Sequence, residues 1–237
     1  MRASAVALMT AQLALCTTFA AVIQSPAQVI RGGARACHEV ALTFDLCPVR
    51  HGTGYDAPLI DYLVEHKIPA TFFASGRWIR KHDPEMKQLL AVPFFEMGTH
   101  GQVHAHLTKL NESQQEAEIT GAVDLLRARY GIHARLFRPP YGEYNDTTIA
   151  VANHLGLRLI LYSVVSGDPD PSLSADRILA YLTAYTHGGS LIVMHANGKG
   201  VHTREVVDSL TQEVFPKKGL TPVTVTELLS CARREMR

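Results

Sequence analysis

One pattern recurs about seven times along this sequence: a short apolar run followed by a longer stretch with helical spacing. Short apolar runs between turn signals are typical of buried strands, and the stretches between them have the periodicity of amphipathic helices. Alternating strands and helices favour a parallel sheet with helical crossovers, and closure into a barrel removes the exposed edges of the sheet. We therefore predict an α/β fold, a (β/α)7-8 barrel formed as a single domain by residues 37–237.

The pattern also gives approximate bounds for each element. The predicted strands are Val40–Phe44, Ala70–Ala74, Phe94–Gly98, Arg135–Phe137, Arg158–Tyr162, Leu191–Met194 and Thr221–Val223. The predicted helices are Ala57–Glu65, Pro84–Leu90, Glu112–Tyr130, Thr147–His154, Ala175–Tyr185, Thr203–Glu213 and Val225–Arg234. A chain of 237 residues that is 46% hydrophobic is long enough to bury one sizeable core.

The charge balance limits the classes of partner. Lys and Arg number 23 against 22 Asp and Glu, for a formal net charge of +1. No overall field then favours nucleic acid or an anionic membrane surface, so a local site must provide the affinity for a ligand. We expect no nucleic-acid partner and a monomeric protein.

The first 24 residues differ from the rest. Met1 and Arg2 precede an apolar run over residues 3–15, and small residues follow it around Thr18 and Ala20. A short charged region, an apolar core too short to span a bilayer comfortably and a small-residue cleavage site are typical of a signal peptide. Residues 1–24 therefore predict a secreted or periplasmic protein with no integral membrane span after cleavage. The alternative is a protein anchored to the membrane by an uncleaved N-terminal segment.

Three cysteines would remain after cleavage, and an oxidising compartment permits one disulfide among them. Cys37 and Cys47 flank a predicted strand whose extended length holds them beyond disulfide reach. We therefore predict a bond between Cys37 and Cys231, with three unpaired thiols as the alternative.

Unusual polar residues lie just past the ends of five predicted strands: Asp45, His100, Arg138, Asp168 and His195. The carboxyl ends of barrel strands open on one face, so residues distant in sequence converge there. A carboxylate in such a place is either a turn residue or a base pointed into the barrel mouth. A lone histidine at a strand end is more often structural than catalytic.

His100 and His104 are four residues apart. On a helical turn this spacing would place both imidazoles on one side of the helix, where they could bind one metal ion. The spacing alone is weak evidence in a chain with 12 histidines. Its position after the predicted third strand strengthens the interpretation.

Taken in order, four groups of residues resemble the successive motifs of the polysaccharide deacetylase family, which is also called the NodB homology family and is of carbohydrate esterase type. The groups are Thr43–Asp45, His100 with His104, Arg138–Tyr141, and Leu191 with His195. The resemblance covers about residues 40–229. It implies a distorted (β/α) barrel that binds a divalent metal and removes N-acetyl groups from a polysaccharide such as peptidoglycan or a chitin-like polymer.

The resemblance also implies a role for each matching residue. Asp45 corresponds to the general base and His195 to the general acid, while His100 and His104 correspond to two metal ligands. Arg138 would orient the base, and Asp168 would support the acid histidine or that arginine, although Asp170 competes for this role. The Tyr141 N–H, held by the Pro139–Pro140 pair, would meet the oxyanion. The expected metal is zinc, with cobalt, nickel or manganese as alternatives.

One position departs from the family pattern. The first motif normally has two adjacent aspartates, the second of which binds the metal, and here the second position is Leu46, followed by Cys47 and Pro48. Asp56 is a natural helix N-cap near the barrel mouth, and we hypothesise that it supplies the third protein ligand instead.

The missing aspartate leaves three functions open. The first is an active deacetylase, and the second is a non-catalytic carbohydrate-binding protein on a deacetylase scaffold. The third is an amide hydrolase of the same fold that acts on a non-sugar substrate, since a barrel alone does not fix the substrate.

Overall fold

The structure, a computed structural model, describes residues 29–235. Its strands are β1 (Glu39–Leu46), β2 (Ala70–Ala74), β3 (Phe95–Thr99), β4 (Leu136–Phe137), β5 (Arg158–Leu159), β6 (Val164–Val165), β7 (Leu191–His195) and β8 (Thr221–Pro222). Its α-helices are α1 (Ala57–Glu65), α2 (Gly76–Lys81), α3 (Asp83–Leu90), α4 (Glu112–Tyr130), α5 (Asp146–His154), α6 (Ala175–Tyr185), α7 (Thr203–Ser209), α8 (Phe215–Lys218) and α9 (Val225–Glu235). A π-helical turn, Leu210–Val214, joins α7 to α8.

The named strands form one curled parallel sheet. Its order is β5-β4-β3-β2-β1-β7-β6, and β8 pairs with the beginning of β1. The sheet is a half-barrel with helices outside it, which confirms the predicted α/β, single-domain fold. The segment before β1 lies beside the end of β5 and the beginning of β7, because Ile30 bridges to Ile160 and Gly32 bridges to Ser190.

Alternation along β1 decides which side chains face the barrel interior. Leu42, Phe44 and Leu46 are fully buried in the main core cluster, which also includes apolar residues of the outer helices. Thr43 and Asp45 point the other way, and both contact Arg138 inside the barrel. Burial of a leucine or phenylalanine stabilises a fold by roughly 1.5–3 kcal/mol, so the outer face of β1 fixes the register that aims Asp45 inward.

The predicted disulfide is confirmed. Cys37 and Cys231 are bonded, with their Cα atoms 6.2 Å apart. The bond links the segment before β1 to helix α9, while Cys47 is a free, buried cysteine.

Two predicted regions need a correction or lie outside the structure. The predicted strand Arg158–Tyr162 is too long: β5 ends at Leu159 and pairs with β4, and the chain then crosses to the other edge of the sheet, where β6 pairs with β7. Asp168 therefore follows the sixth strand rather than the fifth. The predicted signal peptide lies outside the described residues. Within residues 29–235, no helix is long and apolar enough to cross a membrane.

Candidate active site

Parallel pairing brings the sequence-predicted polar residues to one end of the sheet. Asp45 and His195 are register partners on the adjacent strands β1 and β7, so their side chains share the inner face. His100 directly follows β3, Arg138 directly follows β4, and Asp168 lies three residues beyond β6. The convergence expected from the strand ends is therefore present.

Three metal-ligating side chains meet at this end of the barrel. Cys47 Sγ and one ring nitrogen each of His100 and His104 all lie within 4.8 Å of one another. The two Nε2 atoms are 3.2 Å apart. Cys47 and His100 are buried and His104 is partly exposed, so the cluster is open to solvent on one side.

The two histidines do not share a helical turn, and that part of the sequence prediction is wrong. Residues 100–106 form a loop in which Gly101 and His104 have φ values of 71° and 67°. The left-handed residues turn the chain back, so that the imidazole rings meet with centroids 4.8 Å apart. A non-glycine residue with positive φ is uncommon and is concentrated at functional sites.

Glu118 on helix α4 holds this loop in place. Its Oε1 accepts the backbone N–H groups of Val103 and Ala105 at 2.9 and 3.0 Å, on both sides of His104. The carboxylate is buried, so the two N–H groups that it satisfies would otherwise lack a partner in this conformation. Sequence reasoning missed Glu118, because it lies within an ordinary helical pattern.

The donor set fits a divalent metal. His100 Nδ1 lies 2.8 Å from the carbonyl oxygen of Arg138, which fixes that nitrogen as the protonated one and leaves Nε2 with its lone pair toward His104 and Cys47. A thiolate and two imidazoles, with an open side, are ligands that catalytic zinc uses.

Burial alone would raise the pKa of the Cys47 thiol, but His100, with contributions from His104 and His195, lowers it well below its usual value. The thiol is therefore predisposed to the thiolate form that binds metals. The sequence places Cys47 two residues after Asp45, but its linear pattern does not relate this cysteine to His100 and His104.

Asp56 is not brought into this cluster. It is the N-cap of α1, where its Oδ1 accepts the backbone N–H of Leu59 at 3.1 Å. Its own N–H donates to the carbonyl of Ala196. Among the described residues, the group that satisfies metal-site geometry contains Cys47 and the two histidines but not Asp56. The expected folding of Asp56 toward the imidazoles is therefore not seen, because the carboxylate serves as the cap.

Arg138 fixes the orientation of Asp45. Its Nη1 donates to Asp45 Oδ1 at 2.7 Å, and its Nη2 donates to Thr43 Oγ1 at 2.9 Å and to the Leu161 carbonyl at 3.1 Å. The fully buried guanidinium also lies over the Phe73 ring, 4.0 Å from its centroid. Burial would raise the pKa of Asp45, but Arg138, His100 and His195 together lower it. Asp45 is thus ionised, and its Oδ2 lies 3.6 Å from His100 Nε2.

His195 and Asp168 form a second pair. Asp168 Oδ1 lies 3.0 Å from His195 Nδ1, and Oδ2 accepts the His195 backbone N–H at 2.8 Å. Ser166 and Thr203 donate to the two carboxylate oxygens, so Asp168 is held at both ends. Burial would lower the pKa of His195, but the hydrogen bond to Asp168, with Cys47 and Asp45, raises it to about 10. Asp170, the competing residue, is exposed and accepts from Ser172 instead.

The segment after Arg138 carries Tyr141 to the mouth of the site. Tyr141 has φ 60°, its ring stacks on His106 at 4.0 Å, and it contacts the His104 ring at 4.5 Å. Pro139 is buried, and its carbonyl accepts the Gly142 N–H at 3.1 Å. Tyr141 therefore lines the site directly, whereas Pro139 shapes the turn behind it.

A cleft of about 620 Å³ opens over the cluster. His104 and Tyr141 line it, together with residues of the segments that follow β1, β2, β3 and β7. The volume is in the range of small-ligand sites, and the open cleft gives a polymer access to His104 and Tyr141.

Comparison with known proteins agrees with this arrangement. The family model described as polysaccharide deacetylase matches residues 32–160. The chain belongs to the polysaccharide deacetylase family.

Curated relatives in this family differ in how much of their length the chain spans. It is 29% identical over 198 residues to a peptidoglycan-N-acetylglucosamine deacetylase of Bacillus cereus, covering 82% of this chain and 70% of the relative. It is 26% identical over 191 residues to the uncharacterized protein YlxY of Bacillus subtilis, covering 79% of this chain and 57% of the relative.

Solved structures of the family have the same fold. A peptidoglycan N-acetylglucosamine deacetylase in complex with a hydroxamate-type ligand is 26% identical, with a TM-score of 0.78 over 85% of this chain and 92% of that one. A mutant of a CE4 family pseudoenzyme with restored enzymatic activity is 25% identical, with a TM-score of 0.78 over 87% of this chain and 72% of that one. The family thus includes both active enzymes and a pseudoenzyme.

Proposed function

We propose that this protein is a metal-dependent hydrolase that removes N-acetyl groups from an N-acetylated polysaccharide. The observation that carries the proposal is the Cys47, His100 and His104 cluster, which lies beside an ionised Asp45 and the His195–Asp168 pair. The three ligands replace the family's usual set, with a thiolate in place of the second aspartate. Cys47, His100 and His104 would hold the metal, and Asp56 is no longer required as a ligand.

The metal, when bound, supplies an activated water at neutral pH and polarises the acetamide carbonyl. Asp45 accepts the proton of the attacking water, and Arg138 keeps its carboxylate aimed at the site. His195 is protonated at neutral pH because its pKa is raised, so it can donate its proton to the departing amine. The Tyr141 N–H is the candidate donor to the developing oxyanion.

The donor set favours zinc among the divalent metals. Thiolate and imidazole ligands suit zinc and cobalt, whereas manganese prefers carboxylate and water oxygens. Nickel stays a candidate because imidazole binds it well. Substitution of a carboxylate by Cys47 is therefore expected to narrow the metal preference.

The substrate class rests on the relatives. Peptidoglycan or a chitin-like polymer is the proposed N-acetylated substrate, and the 620 Å³ cleft gives such a chain access to the cluster. We further propose that residues 1–24 direct export, that residues 37–237 form the catalytic domain, and that the protein acts as a secreted or periplasmic monomer. The Cys37–Cys231 disulfide supports an oxidising compartment.

One observation favours a second candidate, a carbohydrate-binding protein without catalysis. Leu46 occupies the position of the family's metal-binding aspartate, and a pseudoenzyme is among the similar structures. The third possibility, an amide hydrolase for a non-sugar substrate, has no observation that favours it over a glycan.

Metal content and acetate release separate these functions. The purified protein is analysed for bound metal, and acetate release is measured on chitooligosaccharides, peptidoglycan and xylan, with added zinc and with chelator. Chelator-sensitive acetate release from a glycan supports the deacetylase. Glycan binding with neither bound metal nor acetate release would establish the binding protein instead. Release from simple amides alone would point to the non-sugar hydrolase.

A further inference from the structure

The rim of the cleft is strongly cationic. Arg50, Arg77 and Lys199 line it, and His51 lies among them. Among the described residues that line the cleft, none is an aspartate or a glutamate. The chain as a whole has a formal net charge of only +1, so this concentration of positive charge does not follow from the composition.

Three separate segments contribute the three cations. Arg50 follows β1, Arg77 lies in the first turn of α2 after β2, and Lys199 follows β7. All three are exposed, and among residues 29–231, whose side chains the structure describes, none of them forms an ion pair with a carboxylate. These three cations from different parts of the chain line one cavity.

Two of these residues are anchored to the loops that carry the metal cluster. The Arg77 N–H donates to the Gln102 carbonyl at 2.7 Å, between His100 and His104. The Lys199 N–H donates to Asn197 Oδ1 at 3.2 Å, and Asn197 Nδ2 donates to the Cys47 carbonyl at 3.0 Å. Hydrogen bonds therefore hold the backbone of both Arg77 and Lys199 at a fixed place relative to the cluster.

Arg50 is three residues beyond Cys47 on the same loop. Arg50 thus shares a loop with a candidate metal ligand. The three cations line the same cleft as His104 and Tyr141, so a ligand bound at these two residues lies next to the cations.

We propose that the substrate is an acidic N-acetylated glycan and that Arg50, Arg77 and Lys199 bind its carboxylate groups. This inference rests on the proposed deacetylase function. Carboxylates at or beside the sugar that carries the acetamide are the ligands that unpaired guanidinium and ammonium groups recognise. A neutral N-acetylated chain leaves the three cations without counter-charges, so it binds more weakly. Low-dielectric cleft walls focus such a field and raise the local concentration of an anionic polymer.

Two kinds of acidic glycan share this chemistry, and substrates of equal length distinguish them. One probe is a peptide-free peptidoglycan strand, whose acidic sugar carries a lactyl carboxylate. The other probe is a polymer in which N-acetylglucosamine alternates with glucuronic acid. The neutral comparison probes are a chitooligosaccharide and the peptidoglycan strand with its carboxylates converted to methyl esters. Acetate release and binding by calorimetry are measured for each at low and high salt.

We expect kcat/KM for at least one acidic probe to exceed that for its neutral counterpart by about tenfold or more. Raised salt should shrink this ratio, because exposed charge interactions are screened. If the enzyme prefers the peptidoglycan strand, the recognised carboxylate is the lactyl group of its acidic sugar. If it prefers the alternating polymer, the recognised carboxylate belongs to a uronic acid next to the acetylated sugar.

Single variants then test the residues. Arg50→Gln, Arg77→Gln and Lys199→Gln should each lower the acidic-to-neutral ratio by about two- to fivefold, the range of a single exposed ion pair, and the triple variant should abolish the preference. Arg80→Gln removes the same charge from helix α2 outside the cleft and is the matched control, with an unchanged ratio.

Equal kcat/KM and equal affinity for acidic and neutral probes would overturn the inference while leaving the deacetylase intact. A preference that Arg80→Gln reduces as much as Arg77→Gln would also overturn it, because the effect would then be one of net charge. If the proposed deacetylase function is wrong, no probe releases acetate. The calorimetric affinities then still show whether the cleft binds acidic glycans more tightly than neutral ones.

Discussion

Asp168 holds His195 at two points, through the backbone N–H with Oδ2 at 2.8 Å and through the ring Nδ1 with Oδ1 at 3.0 Å. The first contact fixes where the residue sits, and the second fixes which ring nitrogen faces the carboxylate. Nε2 is left free of Asp168, and a histidine that donates a proton to the leaving group needs one such ring nitrogen. The same carboxylate raises the pKa of His195, so position and protonation have a common origin.

We predict that Asp168→Asn shifts the pH profile of deacetylation. The active form of His195 is protonated, so activity is lost as pH rises through its pKa, which in the wild type is about 10. Removal of the carboxylate charge lowers this pKa, and the alkaline loss should move down toward the ordinary histidine range of about 6.5. The measurement is kcat against pH. Asp170→Asn, an exposed neighbour, is the control, and an unshifted alkaline limb in Asp168→Asn would contradict the assignment.

Cys47 variants test the ligand set. Cys47→Ala removes one of three ligands, so bound zinc should be lost or weakened by at least about 10- to 100-fold, and His100→Ala and His104→Ala should behave alike. Cobalt substitution supplies a readout independent of activity, since the sulfur-to-cobalt charge-transfer band of the wild type should be absent from Cys47→Ala. A full metal content and an unchanged cobalt spectrum in Cys47→Ala would exclude the thiolate as a ligand.

Asp56→Ala separates the helix cap from the metal site. Loss of the N-cap hydrogen bond to Leu59 should lower the free energy of unfolding by about 1 kcal/mol. Zinc stoichiometry should stay at the wild-type value, because the carboxylate serves the helix and not the cluster. Denaturant unfolding and metal analysis on the same preparation measure both effects. Loss of zinc from a folded Asp56→Ala protein would restore Asp56 as the third ligand.

The fold was predictable from the sequence because periodicity and burial agree along most of the chain. Val40–Phe44 and Leu191–Met194 lie inside β1 and β7, and the bounds of α1, α4 and α6 match. Strand ends then identified Asp45, His100, Arg138 and His195 without knowledge of the contacts between them. Geometry excluded the Cys37–Cys47 pair and left two pairings, of which the predicted Cys37–Cys231 bond is the one that forms.

The remaining features depend on long-range geometry that a linear pattern does not contain. β6 has two residues, too few to show a period, and its existence depends on pairing with β7. Cys47 became a candidate ligand only when His100 and His104 were placed beside it. Asp56 is the next carboxylate after Asp45 in the sequence, but the structure uses it as the N-cap of α1.

Leu46 shows why the family's aspartate cannot simply be restored. Its side chain is fully buried with Phe44 on the outer face of β1, away from His100 and His104. Leu46→Asp would remove a core leucine and bury a carboxylate without a partner, at a cost of about 3 kcal/mol or more. We therefore predict a lower melting temperature and no gain in zinc affinity, whereas Leu46→Met should cost less than about 1.5 kcal/mol. A stable Leu46→Asp protein with tighter zinc binding would show that this position can still reach the site.

Glu118 provides a test of how the loop that contains His104 is held. Its Oε1 accepts the N–H groups of Val103 and Ala105, and His104 lies between them with φ 67°. In Glu118→Ala both N–H groups lose a buried acceptor, at about 1–3 kcal/mol each, and the left-handed conformation at His104 loses its support. The imidazole then samples positions away from His100, and the cluster is no longer preorganised for the metal.

We accordingly predict that Glu118→Ala weakens zinc binding by about 10- to 100-fold, the range found for groups that orient metal ligands. Glu118→Gln keeps a carbonyl oxygen that can accept both N–H groups, so it should retain most of the affinity although the charge is gone. Glu116→Ala, an exposed glutamate on the same helix, is the matched control and should bind zinc like the wild type. Zinc affinity is measured by competition with a chelator, alongside the melting temperature of each variant. Because Glu118 is not part of the ligand cluster, a loss in Glu118→Ala that Glu118→Gln restores arises through the contacts of this side chain with the loop and not through its charge. Equal affinities in Glu118→Ala and the wild type would mean that His104 reaches the metal without this support.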